Sequence, residues 1–94
     1  MVTHLDVPGE VTGAERAQEV LRAWVADGGL VCALQPDAWE NTAAWGLLLA
    51  DLARHVANAT RELNGVEPAV TLAGIRAMFE AELDAPTDEA KGHF

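Results

Sequence analysis

Asn41-Thr42-Ala43-Ala44-Trp45-Gly46-Leu47-Leu48-Leu49-Ala50-Asp51-Leu52-Ala53-Arg54-His55-Val56, continuing to Leu63, is the stretch whose reading decides the fold. At about 100° per residue, Trp45, Leu48, Leu49, Leu52, Val56 and Leu63 fall on one broad helix face. A stripe of small residues, Gly46, Ala50, Ala53 and Ala57, runs beside it. Together they cover roughly 200° of arc, more than a helix lying on one surface needs. The spacing therefore predicts a long central helix, capped by Asn41, stopped at Asn64-Gly65 and touched on two sides. Asp51, Arg54, His55, Asn58, Arg61 and Glu62 share the polar arc, and Leu47 falls among them as the exception.

Working outward, Leu30 to Gln35 is a short apolar run closed by Pro36-Asp37 and reads as a buried strand. Upstream, Thr12-Gly13-Ala14-Glu15 has capping-box spacing. Ala17, Val20, Leu21, Trp24 and Val25 then recur with helical period, and Gly28-Gly29 supplies a stop. This predicts a first helix between the box and the glycines. A third helix is expected from Thr71, presenting Leu72, Ile75, Met78, Phe79 and Leu83. One strand cannot satisfy its own backbone hydrogen bonds, so Leu30–Gln35 needs a mate. The candidates are Thr3 to Val7 of the N-terminal arm, or the same strand of a second copy across a two-fold axis. The expected fold is α+β: three helices with one or two short strands, mostly helical, with the sheet completed across a homodimer. Residues 1–11 read as an arm, 12–83 as a single globular domain, and 84–94 as an acidic flexible tail.

The Asn41–Val56 stretch resembles a small family of uncharacterised bacterial proteins, mainly alphaproteobacterial, of unknown function. So does Val20-Leu21-Arg22-Ala23-Trp24-Val25 followed by Gly28-Gly29-Leu30. The Ala43-Ala44-Trp45-Gly46-Leu47-Leu48-Leu49-Ala50-Asp51 segment is the most specific part, and the resemblance spans residues 13–63. It implies a free-standing bacterial cytoplasmic protein and assigns no activity, cofactor or catalytic residue.

The chain has 94 residues, 50% of them hydrophobic, which suits one thin core. Six Lys+Arg against fifteen Asp+Glu leave a net charge of −9. The basic residues are scattered singly and form no stripe, which argues against nucleic acid and anionic membrane surfaces as partners. The first residues lack a basic and apolar leader pattern, so a cytoplasmic setting is expected. Cys32 is the single cysteine, and inside its apolar run it reads as a small buried hydrophobe.

Candidate chemistry is sparse. Asp51 and His55 stand at i and i+4, a spacing that brings two metal ligands to one helix face. Further ligands would have to come from distant His4 or His93, or from Glu62. Arg54 lies between them. Trp39, in the connection after the strand, is a candidate interface anchor or lid. The chain has neither serine nor tyrosine, and Cys32 has no neighbouring base, so no nucleophile is set up and no cofactor is expected. The leading functional expectation is a non-catalytic interaction or assembly protein acting as a homo-oligomer, with an unidentified protein partner as a further possibility. The alternatives are a small-ligand or metal-binding module centred on Asp51/His55, or an enzyme whose site carries no recognisable motif. Leu47, Asp51, Arg54, His55 and Trp39 are the residues on which these readings turn.

Overall fold

Residues 21–34 fold back on themselves. In the computed structural model, which describes all 94 residues, β1 (Leu21–Ala26) and β2 (Gly29–Leu34) form an antiparallel hairpin. The register runs from Ala26 opposite Gly29 to Leu21 opposite Leu34, and Gln35 N–H donating to Val20 O at 3.0 Å extends it. The two turn residues, Asp27 at φ 50° and Gly28 at φ 82°, are both left-handed. Two-residue hairpin loops need that geometry because it matches the twist of the strands, and Asp-Gly tolerates it best. This corrects the helix expected between Thr12 and Gly28. Its apolar spacing also fits alternation, with Leu21, Ala23 and Val25 on one side and Arg22, Trp24 and Ala26 on the other. The turn residues, taken as a helix stop, close a hairpin. The mate of the strand is therefore β1, and the arm donates no backbone hydrogen bond to the sheet.

The arm contains one helical turn, α1 (Gly9–Thr12), preceded by Pro8. Thr12 ends this turn and does not begin a helix: its Oγ1 donates to Gly9 O at 3.2 Å. The long helix is α2 (Ala44–Asn64). The expected cap at Asn41 is corrected: Ala43 is the N-cap and carries no side-chain cap bond, while Asn41 organises the turn before it, its Oδ1 accepting from Ala43 N–H at 3.0 Å. Gly65, at φ 70°, closes it in the left-handed conformation, with its N–H on Arg61 O. After a three-residue connection, α3 (Pro68–Asp84) packs back against α2 as a helical hairpin. It starts three residues before the expected Thr71, because Pro68 takes the first helical position, where a missing N–H costs nothing.

Part of the expected tail lies in the sheet. β3 (Lys91–His93) pairs in parallel with β2, giving the order β1-β2-β3. Gly92 is required there: at φ 150°, a side-chain carbon would overlap the Cys32 carbonyl. The architecture is thus α+β and mostly helical, with three helices and a three-stranded sheet. The sheet packs within itself and α2 packs on α3, but sheet and helices do not pack on each other. Only Ala57, on the small-residue stripe of α2, is buried.

Gly28→Val should destabilise the hairpin by about 1–2 kcal/mol, the cost of placing a β-branched residue in left-handed backbone. Urea denaturation followed by circular dichroism checks this, and Asp27→Gly should change stability far less. Gly92→Ala should free β3 from β2 and raise amide exchange in residues 91–93.

Candidate functional site

Two halves meet at the connection between β2 and α2, and two tryptophans organise that meeting. Pro36 prevents the strand from continuing, and Ala38 N–H bonds to Gln35 O at 3.2 Å in a tight turn. Trp45, the second residue of α2, donates its Nε1–H back to Pro36 O at 3.3 Å. Trp39 sets its ring edge-on to that of Trp45, with centroids 5.3 Å apart and planes at 84°. Such T-shaped pairs add roughly 0.5–1.5 kcal/mol beyond their buried area. Trp39 therefore clamps the connection while keeping part of its ring exposed.

The polar residues of α2 sit on its solvent side. Asp51 Oδ1 accepts from Arg54 Nη1 at 3.0 Å, and both side chains are largely exposed. An ion pair so exposed contributes little stability. Asp51 is thus engaged by Arg54, not by His55, and no three His, Cys, Asp or Glu side chains gather into a metal-ligating group. The i, i+4 spacing shares a face without drawing in further ligands: His4 lies in the arm and His93 in β3, and Glu62 stands seven residues beyond His55 along α2. Leu47 projects outward at 70% exposure.

Two concavities open elsewhere on the surface, and of these residues only Arg54 borders one. An open groove of about 350 Å³ lies between α2 and α3, floored by Gly46, Ala50 and Ala53 and walled by Leu72, Ile75 and Phe79. Arg54 and Arg76 stand at its margins. The small-residue stripe predicts close helix approach. That approach is complete at Ala57 and left open at the Gly46 end, where a side-chain carbon would meet nothing. The second concavity, about 570 Å³, separates the arm from β1, between residues such as His4, Val7 and Trp24. Sequence reasoning misses both, because they arise from packing between segments that share no motif. Phe79 carries helical periodicity that marks it as apolar without showing which wall it forms.

A double-mutant cycle on Trp39→Ala and Trp45→Phe tests the clamp. The ring pair should register as a coupling of about 0.5–1.5 kcal/mol in urea unfolding, and Trp45→Phe alone should cost about 1 kcal/mol for the lost hydrogen bond. Zero coupling would remove the clamp from the description of the fold.

A solved protein from the photosynthetic bacterium Rhodopseudomonas palustrus CGA009, whose name proposes a pyruvate dehydrogenase, is 44% identical to this chain. The match covers 97% of this chain and 93% of that one, with a TM-score of 0.74. No curated protein is significantly similar. The family model for DUF5076, a domain of unknown function, matches residues 4–87, and with that span of arm, hairpin and helices this chain belongs to the DUF5076 family.

Proposed function

We propose that this protein is a non-catalytic assembly protein that works as a homodimer. The observation that carries the reading is surface area. The single chain exposes 8285 Å², whereas a compact chain of its 10.0 kDa mass exposes about 5,200 Å². Its radius of gyration of 15.1 Å likewise exceeds the roughly 12 Å of a compact domain of this length. The excess of about 3,000 Å² per chain, about 6,000 Å² for two, is enough to supply the roughly 2,000–5,000 Å² in total that obligate homodimers bury.

The surface that remains uncovered is apolar. Leu47, Leu49, Leu52 and Val56 on α2, and Val70, Met78 and Leu83 on α3, are all exposed. Contiguous apolar surface of this kind marks an association site. β1 is an edge strand of the sheet, so its outer backbone groups are also available for pairing. No helix is long and apolar enough to cross a membrane, so a bilayer-spanning role does not account for that surface.

Sedimentation equilibrium at tens of micromolar should give twice the 10.0 kDa chain mass. Leu52→Glu places a charge in the exposed apolar stripe of α2 and should weaken association roughly tenfold or more, about 1.4 kcal/mol. A wild-type chain that stays at monomer mass would end this reading. A dimer indifferent to Leu52→Glu would take the α2 stripe out of the interface.

A further inference from the structure

The sheet has two unlike faces. The register puts Arg22, Trp24, Val31 and Ala33 on one side, joined by Lys91 and His93 from β3. The other side carries Leu21, Ala23, Val25, Leu30, Cys32 and Leu34, with no charged or hydrogen-bonding side chain among them. Opposite Cys32, β3 contributes Gly92 and therefore no side chain. An antiparallel sheet can leave one face in water, but the wet face is then the polar one. Here the apolar face is open: Val25 is 82% exposed and Leu30 49%. The helical hairpin has the matching deficit. Leu49, Leu52 and Val56, at i, i+3 and i+7, make one apolar stripe along α2, each at least 45% exposed.

The chain's own helices do not cover its own sheet. The tryptophan clamp accounts for this. Trp45 at the start of α2 is tied to Pro36, two residues beyond β2, so the helix leaves from the end of the sheet and does not lie across it. Two unpartnered apolar surfaces of the same chain, held apart by a pinned connection, are both covered by one operation: a two-fold exchange with a second copy. Packing sheet on sheet would cover the strands and leave the α2 stripe wet. Packing helix on helix would do the reverse.

We infer that the apolar sheet face of one chain is seated on the α2 stripe of a second copy, and reciprocally, in a two-fold dimer. This rests on the homodimer reading and specifies which surfaces meet. Both faces draw on the excess area, which for two chains is enough for an obligate dimer. The layer that results, helices on one face of a mixed sheet, is a two-layer core of the α+β kind, here built between chains. Cys32 lies in the covered layer.

Dimers mixed from 13C-labelled and unlabelled chains test this by isotope-filtered NOE spectroscopy. The methyl groups of Val25, Leu30 and Leu34 should show NOEs to Leu49, Leu52 and Val56 of the other chain. If those NOEs arise within one chain, or if the sheet methyls see only the other chain's sheet, the exchange is overturned while the dimer stands. A monomeric mass would instead remove the homodimer reading itself. Val25→Lys supplies a second arm: it should weaken dimerisation at least tenfold, because it buries a charge in the exchanged layer. A dimer of unchanged affinity carrying this substitution overturns the inference.

Discussion

One indole nitrogen sets how the two halves of this molecule are joined. Trp45 Nε1 reaches back from the first turn of α2 to the carbonyl of Pro36, and Trp39 braces the ring from its edge. The hydrogen bond is an ordinary one, worth about 1 kcal/mol net. Its importance is geometric. It converts a connection of nine residues, which could otherwise wander, into a fixed corner between strand and helix. The sheet and the helical hairpin do not pack on each other, and each keeps an apolar face that stays partly exposed.

The consequence is an unusual balance between secondary and tertiary structure. Strands and helices are regular and well closed, with left-handed residues where the turns need them. Yet a single alanine is the whole of the buried core. Backbone hydrogen bonding alone does not stabilise a fold of this size, because the net gain per bond is small against the entropy of ordering the chain. The missing stabilisation has to come from apolar burial, and the exposed leucines, valines and methionine of the hairpin and helices are the residues able to supply it. The proposed pairing of two chains would supply it without any change in the secondary structure of either.

Much of the helical half was legible in the chain. The α2 boundaries follow from Asn41, which organises the preceding turn, and from Gly65, which alone tolerates the closing conformation there. Ala57 marks the stripe of small residues on which α3 comes closest. The sheet was less legible. Leu21, Trp24 and Val25 satisfy helical and strand spacing together, and six residues are too few to separate the periods. What separates them is a partner: once Gly29–Leu34 lies alongside, alternation is the only pattern that works. The polar candidates fared differently again. Asp51 and His55 share a face as their spacing requires, but Asp51 turns to Arg54, an interaction that a list of ligand spacings does not weigh.

By itself the sequence determined where α2 ends, the presence of a strand over residues 30–35, observed one residue earlier at 29–34, and the acidic balance, because each depends on residue type or on neighbours a few positions away. Only the tertiary structure decided that residues 21–26 are a strand, that residues 91–93 return to the sheet, and that the helices stand clear of it. Those outcomes depend on contacts between segments distant along the chain, and side-chain period carries no information about which distant segment will arrive.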